Sequence, residues 1–253
     1  SGKTELCSIH FPAYFLEKDP RNRVIVGTYN QTLANKLSRR VRSICRDRIE
    51  LDPDRKAMEE WDTKGGGGLR AVGVGGGIAG VGANLIILDD IVRNRKDANS
   101  VTVRNTTFDW YTDDIYTRME PDSRILVLAT RWHEDDIIGR IERADKDVGE
   151  WTIINIPAIA ESNDILGRKD GEALNPERYP LERLLEIKRV MGRSFNALYQ
   201  GRPTEQEGET FKASWFRSHL FKQLPPSTPD NKKRYEFVRY WDKASTTDGD
   251  YTV

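Results

Sequence analysis

The sequence has few of the features that mark several classes of protein. Its 253 residues include only two cysteines, Cys7 and Cys45, and their spacing is not that of a disulfide framework. A disulfide framework is therefore not expected, and a reducing compartment is favoured. No segment approaches the roughly 18 consecutive apolar residues of a membrane span, no signal peptide opens the chain, and no internal repeat is visible. We expect a cytosolic protein that makes no membrane contact.

Net charge is also absent. The 40 Lys and Arg residues cancel the 40 Asp and Glu residues, so no global field indicates nucleic acid. Any nucleic-acid site must then be a local patch. The charged fraction of 32% and the hydrophobic fraction of 37% suit a soluble globular protein. The length predicts one large domain, or one domain and part of another.

The most informative stretch is residues 80–92. Its apolar run at 85–88, Leu-Ile-Ile-Leu, leads directly into Asp89 and Asp90. Such a run is typical of a strand buried on both faces, as in a parallel sheet flanked by helices. Two acids fit there only at the carboxyl end of the strand, where α/β sheets place ligands. One acid can then hold Mg²⁺ while the other orients a water, the pattern called Walker B. The alternative is a core strand that ends in a solvated turn.

The first four residues, Ser1-Gly2-Lys3-Thr4, are the second half of the phosphate-loop pattern G-x-x-x-x-G-K-[ST]. The first glycine and three loop residues would lie before Ser1. In such a loop the backbone N–H groups cradle phosphates, Lys3 reaches the β- and γ-phosphates, and the Thr4 hydroxyl ligates Mg²⁺. A helix is predicted from residue 5 to residue 18, with an apolar stripe formed by Leu6, Ile9, Ala13 and Leu16.

Strands and helices alternate along the rest of the chain. Strands are predicted at residues 23–29, 123–129 and 151–156, and helices at residues 31–48, 97–119, 135–144, 181–191 and 194–199. Asn30 or Thr32 is expected to cap the helix at 31–48, and Asp97 or Asn99 the helix at 97–119. Residues 50–64 are predicted to be irregular and residues 161–180 to form a loop. The fold class is α/β, with a parallel sheet flanked by helices.

A glycine-rich stretch precedes the strand at residues 85–88. Gly75-x-Gly77-x-x-Gly80 matches the dinucleotide-binding fingerprint, which must follow a strand and open a helix. Because this stretch leads into a strand, we reject that function. The glycines are expected to build a tight hairpin or to permit close approach of two backbone segments.

Polar residues directly follow the strand at residues 123–129 and so fall on the ligand-binding edge of the sheet. Thr130 or Arg131 would contact a γ-phosphate or a catalytic water there. His133 has no His or Cys partner at metal-ligand spacing, which favours a hydrogen-bonding role.

The helix at residues 31–48 has a strongly basic face. This face is either solvated surface or a contact with a DNA backbone or a neighbouring subunit. It consists of Lys36, Arg39, Arg40, Arg42 and Arg46.

Three prolines between residues 225 and 229 indicate a linker. After it, residues 235–241 are predicted to form a strand that delivers Asp242, and a turn then carries Asp250. This arrangement suits a two-metal nuclease. The alternative is a hairpin with surface acids.

Six blocks of the sequence, taken in order, resemble the large terminase subunit of tailed bacteriophages, the DNA-packaging motor. They are S-G-K-T, T-Y-N-Q-T-L-A, G-I-A-G-V-G-A-N-L-I-I-L-D-D, A-T-R-W-H-E-D-D, A-L-Y-Q-G-R-P and Y-W-D-K-A followed by D-G-D-Y. The resemblance covers essentially the whole chain. It implies a P-loop ATPase domain at residues 1–203, a linker at 204–233 and the start of a ribonuclease-H-like nuclease domain at 234–253.

The resemblance also implies roles for residues of the ATPase part. Gly2, Lys3 and Thr4 belong to the phosphate loop, and Asp89 is the Walker B magnesium ligand. Asp90 stands where the family often has a glutamate that acts as the catalytic base. Thr130 and Arg131 match the motif that couples hydrolysis to movement. No arginine finger is implied, because the stretch before the Walker B strand has Val81 and no arginine there.

In the nuclease part, Asp242 matches the first metal-binding carboxylate and Asp250 a nearby acid that assists metal binding. The implied cofactors are ATP and Mg²⁺, with Mg²⁺ or Mn²⁺ at the nuclease site. The implied partners are double-stranded DNA, the portal protein, the small terminase subunit and further copies in a homo-oligomeric ring. The implied location is the host cell cytoplasm, transiently at the procapsid portal.

A different function class also fits the ATPase blocks alone, namely a helicase-like or remodelling NTPase without nuclease activity. Asp242 discriminates between the two, because a strand that ends in this acid has no role in a plain helicase. Since the phosphate loop starts at its second half here, we expect residues 1–253 alone to bind ATP poorly and to hydrolyse almost none.

Overall fold

The computed structural model describes residues 2–78, 80 and 82–203. This part of the chain forms a mixed six-stranded sheet with helices on both faces. The strands are β1 (Arg23–Thr28), β2 (Leu51–Lys56), β3 (Glu60–Thr63), β4 (Gly68–Gly73), β5 (Ala83–Asp89) and β6 (Met119–Leu128). The helices are α1 (Phe11–Lys18), α2 (Gln31–Cys45), α3 (Arg95–Asn99), α4 (Val101–Asp109), α5 (Ile137–Asp145), α6 (Leu181–Met191) and α7 (Arg193–Gln200). A π-helical segment, Thr4–His10, precedes α1, and a second one, Trp110–Ile115, follows α4 and is succeeded by a 3₁₀ turn, Tyr116–Arg118.

The strand order in the sheet is β2-β3-β4-β1-β5-β6. The strands β1, β5 and β6 run parallel, as predicted, and Val26 of β1 lies opposite Ile87 of β5. Strand β4, which was not predicted, pairs parallel with β1 on its other side. The prediction that residues 50–64 are irregular was wrong, because they form the antiparallel strands β2 and β3. Strand β3 pairs antiparallel with β4, and β2 lies at the edge of the sheet beyond it. Only Trp61 and Thr63 are buried in this hairpin. Two buried positions that alternate with less buried ones over four residues are too short a pattern to predict a strand from the sequence.

Helices cover both faces of the sheet, and the strand residues alternate between two cores. On one face, α1 and α2 pack against β-strand residues that include Ile87. On the other, the segment Trp110–Ile115 and α5 pack against residues that include Ile86. The apolar run of β5 is therefore buried on both faces, as the sequence predicts.

Capping side chains set the starts of several helices. The Asn30 side chain accepts a hydrogen bond from the Leu33 N–H at 2.8 Å, which confirms Asn30 as the cap of α2. The single helix predicted at residues 97–119 was wrong. Asn94 caps α3 and Ser100 caps α4, each by accepting an N–H three residues ahead, so neither Asp97 nor Asn99 is a cap. The chain is extended at Ser100, which divides the helix there.

The glycine-rich region starts at residues 65–68, and the expected close backbone approach is found there, whereas a Cβ atom on Gly75, Gly77 or Gly80 would meet no atom within 4 Å. A Cβ atom on Gly67 would lie 2.1 Å from the carbonyl oxygen of Asn22, so any larger residue would force these segments apart. The fingerprint glycines, Gly75, Gly77 and Gly80, follow β4 and lead into β5 without opening a helix. The expectation that these glycines lead into a strand and open no helix is confirmed.

The structure also tests the predicted strand at residues 151–156, the apolar stripe of the first helix and the break between the last two helices. Residues 151–156 are not a strand, and Leu6 of the predicted apolar stripe is 68% exposed. The break between α6 and α7 falls at Gly192, whose φ of 52° favours glycine. Within the described residues, no helix is long and apolar enough to cross a membrane.

Candidate active site

Asp89 ends β5 at the carboxyl edge of the sheet and is only 4% exposed. The hydroxyl of Ser8, itself fully buried, donates a hydrogen bond of 2.7 Å to its Oδ2 atom. Within the described residues, Asp89 makes no ion pair. A buried carboxylate without a cationic partner is costly, and a bound cation is a common way to compensate it. The chemistry of this carboxylate thus suits a metal ligand.

Asp90 follows in a left-handed conformation with φ of 47°, which non-glycine residues adopt rarely and mostly when the surroundings hold them there. Its N–H donates to the carbonyl of Leu128 at 3.0 Å, which ties it to the end of β6. The residue as a whole is exposed, yet neighbouring protein desolvates its carboxyl group. This desolvation, and next the charge of Asp89, raise the pKa of Asp90, while Lys3 and hydrogen bonds from Thr130 partly oppose the rise.

Lys3 and Thr130 complete the group at this edge. The Lys3 Nζ atom lies 3.5 Å from the carbonyl oxygen of Ala129, the residue that follows β6. Thr130 lines a small cavity of about 20 Å³ together with Asp90. Gly2 lies just before the first helical segment, where its carbonyl accepts a hydrogen bond from the Leu6 N–H, and Thr4 is half-buried in the first turn. Lys3, Asp89, Asp90 and Thr130 therefore lie together at one edge, where the parallel strands β5 and β6 both end.

Arg131 forms ion pairs at the start of α5, and its contact with a γ-phosphate or a catalytic water stays a prediction. Its guanidinium donates to Asp136 Oδ2 at 2.6 Å and to Glu142 Oε2 at 3.5 Å. Asp136 is also the N-cap of α5, accepting the Gly139 N–H at 2.9 Å. Burial raises the pKa of Asp136, and the charge of Arg131 opposes that rise. In this structure Arg131 fixes the loop after β6 to the start of α5.

A second ion cluster lies beside it. Asp135 accepts hydrogen bonds from Arg104, Arg140 and Arg143, and these arginines hold its pKa well below the usual range. The His133 Nδ1 atom accepts the Asp135 N–H at 2.9 Å, so the expected hydrogen-bonding role of His133 is confirmed. The loop after β6 is thus fixed by ion pairs of Arg131, Asp135 and Asp136 and by the hydrogen bond between His133 and the Asp135 N–H.

We expect Arg131→Ala to lower the free energy of unfolding by about 2–4 kcal/mol at neutral pH, because it leaves the buried carboxylate of Asp136 without its counter-charge. The folded-state pKa of Asp136 is already raised and rises further in the variant. A raised carboxyl pKa costs stability as the pH rises through it, so the deficit is largest at neutral pH and shrinks in acid. Urea unfolding at several pH values measures this.

Arg143→Ala is the matched control. Arg143 also pairs with an aspartate, but its side chain is 58% exposed and Asp135 keeps two other arginines. Its loss should cost less than about 1 kcal/mol. Equal effects of the two variants would contradict the buried role of Arg131.

Two features of the site were missed by sequence reasoning. Ser8 carried no signal beyond being a polar residue next to Ile9 on a helix, and only its burial shows that it contacts Asp89. A cleft of about 570 Å³ also opens beside Lys3, between the loop after β6 and the end of α7, with Asn155, Tyr199 and Arg202 in its lining.

Within the described residues, no cluster of three or more His, Cys, Asp or Glu side chains could hold a metal ion by itself. A magnesium site completed by substrate phosphates needs only one or two protein carboxylates. Asp242 and Asp250 lie outside the described residues, as do the linker and the predicted nuclease segment.

The basic face of α2 is partly engaged. Arg40 forms a bidentate ion pair with Glu5, in which its two terminal nitrogens lie 2.6 and 2.7 Å from the two carboxylate oxygens. The guanidinium group of Arg42 donates a hydrogen bond to the carbonyl of Lys56. Arg39 and Arg46 are exposed. Both interpretations of this face, solvated surface or contact with a partner, remain predictions.

Comparison with known proteins supports the resemblance. A family model described as terminase large subunit, T4likevirus-type, N-terminal, matches residues 1–218. The crystal structure of the HK97 bacteriophage large terminase is similar, with a TM-score of 0.50 and 13% sequence identity. The match covers 79% of this chain and 44% of that one, so the chain spans less than half the length of that terminase. At this identity the likeness shows the fold alone.

No curated protein has a significant match to the chain. The family model nevertheless covers most of the sequence, and the structural match agrees with it. The chain belongs to the terminase large subunit family.

Proposed function

We propose that the chain is the ATP-hydrolysing part of a phage DNA-packaging motor. In the whole protein, this part translocates double-stranded DNA into a procapsid, and a metal-dependent nuclease cuts the concatemeric DNA. Portal protein, the small terminase subunit and further copies in a ring are the proposed partners. Family membership supports the packaging role.

One observation carries the ATPase part of this proposal. Asp89 is a buried carboxylate at the carboxyl end of a parallel strand, without an ion-pair partner in the described part of the chain, and Lys3 lies at the same edge. Ligands of α/β sheets bind at that edge. If a phosphate group and its Mg²⁺ were bound at this edge, the Mg²⁺ would be the positive partner of the Asp89 carboxylate. The phosphate would be the negative partner of the Lys3 ammonium group.

The residues present fit such a group. Asp89 and the Thr4 hydroxyl would hold Mg²⁺, which supplies charge neutralisation at the phosphates. The Ser8 hydroxyl fixes one carboxylate oxygen of Asp89, so this side chain is held in place before the ion binds. Gly2 and Lys3 would contact the phosphates.

Asp90 would take the proton of the attacking water. Its raised pKa makes its ionised form a better proton acceptor than that of an ordinary aspartate. Thr130, which hydrogen-bonds the Asp90 carboxyl group, would orient it. Arg131 would transmit the state of the site to α5 through Asp136 and Glu142.

The nuclease part of the proposal rests on sequence and family. Asp242 would hold the catalytic metal ions, Mg²⁺ or Mn²⁺, and Asp250 would assist. Two-metal cleavage of a phosphodiester needs such clustered carboxylates.

Lys3→Ala tests the ATPase proposal in the protein that carries a complete phosphate loop. We expect hydrolysis of ATP to fall by at least about 100-fold, since a preorganised charge on the phosphates is removed. Lys36→Ala, which removes an exposed lysine of α2, should retain parental turnover. Parental turnover in the Lys3 variant would overturn the proposal.

A further inference from the structure

Arg202, directly after α7, lies in the wall of the 570 Å³ cleft beside Lys3. It belongs to the block A-L-Y-Q-G-R-P, for which the terminase resemblance implies no chemical role. Its side chain is 64% exposed and forms an ion pair of 2.7 Å with Glu161. Because exposed ion pairs contribute little to stability, Arg202 can exchange this partner for another anion at low cost.

The main chain around Arg202 is fixed on both sides. Gly201 has a φ of 67°, and a Cβ atom there would collide with the side-chain oxygen of Asn155, so glycine is required. The Arg202 N–H donates to the carbonyl of Asn196 at 2.9 Å, and Pro203, whose ring fixes φ, follows. The backbone therefore holds Arg202 at the cleft while its long side chain can move.

Glu161 is anchored independently of Arg202. Gln200 is only 7% exposed, and its amide makes two hydrogen bonds with the main chain of Ile159, at 2.9 and 3.0 Å. The Gln200 Nε2 atom also donates to Glu161 Oε1 at 3.0 Å, whereas Arg202 pairs with Oε2. Without Arg202 the carboxylate would keep its bond from Gln200. The guanidinium is thus the member of the pair that can leave.

The charges of the cleft favour an anion. Among the described residues that line it, the cations are Lys3, Arg131 and Arg202, and the acid is Glu142. Arg131 and Glu142 bond to each other, so the excess positive charge belongs to Lys3 and Arg202. A cleft with such an excess attracts anions, and its volume is in the range of small-molecule sites.

We propose that Arg202 is a second phosphate-binding cation of the nucleotide site, which leaves Glu161 when a nucleotide binds and pairs with its phosphates. A guanidinium can form two parallel hydrogen bonds with a phosphate, and such pairs are stronger than an exposed pair with a carboxylate. Nucleotide binding would then break one of the two bonds between Glu161 and the end of α7. This inference rests on the nucleotide site of the proposed function.

Equilibrium binding of ADP and of pyrophosphate, each with Mg²⁺, tests it in the protein with a complete phosphate loop. We expect Arg202→Ala to weaken both ligands by about 10-fold or more, because both lose the same charged hydrogen bonds. Glu161→Gln releases Arg202, so it should tighten both by about 2- to 5-fold. The double variant should bind like Arg202→Ala, since Glu161 acts only through Arg202. Without ligand, the melting temperature of each variant should stay within about 2 °C of the parent's.

Arg183→Ala is the matched control, because Arg183 forms an equally exposed pair with Glu186 on α6, outside the cleft. It should bind both ligands like the parent. Parental binding by Arg202→Ala, or no tightening by Glu161→Gln, would overturn the inference and leave the proposed function standing. So would an Arg202→Ala variant that loses affinity for a short DNA duplex but not for ADP. A parent that binds neither ADP nor pyrophosphate would overturn the proposed function and this inference together.

Discussion

Replacing Asp90 by Asn in the protein with a complete phosphate loop should leave ATP binding nearly unchanged and reduce hydrolysis by about 10²–10⁴-fold. The carboxamide can still accept the hydrogen bond of a water, but it cannot take its proton. Asp90 is the carboxylate held in an unusual backbone conformation, at the end of β5 and tied to β6. Single-turnover hydrolysis and equilibrium nucleotide binding on the same preparation measure the two effects.

The pH dependence offers an independent sign of the same role. Desolvation and Asp89 raise the pKa of Asp90, and only the ionised form accepts a proton. Hydrolysis should therefore fall as the pH drops through this raised pKa, at a higher pH than an ordinary aspartate would give. Thr130→Val removes a hydroxyl that favours the ionised form, so it should move this acid limb to still higher pH.

Asp109→Asn is a suitable control, since Asp109 is an exposed residue at the end of α4. It should hydrolyse ATP at the parental rate with an unchanged pH profile. If the Asp90 variant does the same, then Asp90 is a solvated turn residue, and another group activates the water.

The second large effect concerns the nuclease. We expect Asp242→Asn in the intact parent protein to abolish Mg²⁺- or Mn²⁺-dependent DNA cleavage and to leave ATP hydrolysis nearly intact. Two-metal cleavage holds its cations about 3.5–4 Å apart between shared carboxylates, so a ligand that bridges them cannot be replaced by an amide. Plasmid nicking and ATP turnover on the same preparation separate the two activities.

Asp250→Asn serves as the graded comparison. It should weaken cleavage less than Asp242→Asn, because Asp250 would tune metal binding without bridging both ions. Parental nicking by the Asp242 variant would favour a helicase-like NTPase without nuclease activity.

The fold was predictable where a strong apolar pattern met a geometric rule. The run at residues 85–88 could only be a strand buried on both faces, and parallel strands end at one edge. These two facts are enough to bring Asp89, Asp90 and Thr130 together. Asn30 was likewise predictable as a helix cap, because its side chain acts on a nearby N–H.

What escaped prediction depended on contacts between distant segments. A lone serine in a helix has no pattern that tells which side it faces, so Ser8 became visible only through its bond to Asp89. The ion pairs of Arg131 with Asp136 and Glu142 also escaped prediction, because no sequence pattern marks these two acids as its partners. Residues 151–156 have the pattern of a strand, but a strand needs a neighbour to pair with, and among the described residues no backbone hydrogen bond joins this segment to β6.

The most direct test of the proposed site is paramagnetic broadening of amide NMR signals by Mn²⁺ with ADP, in the protein that has a complete phosphate loop. Broadening falls steeply with distance from the ion. We expect the signals of Thr4, Asp89 and Thr130 to broaden first, and those of α2 residues such as Arg46 to persist. Broadening centred away from the carboxyl ends of β5 and β6 would contradict a nucleotide site at this edge of the sheet.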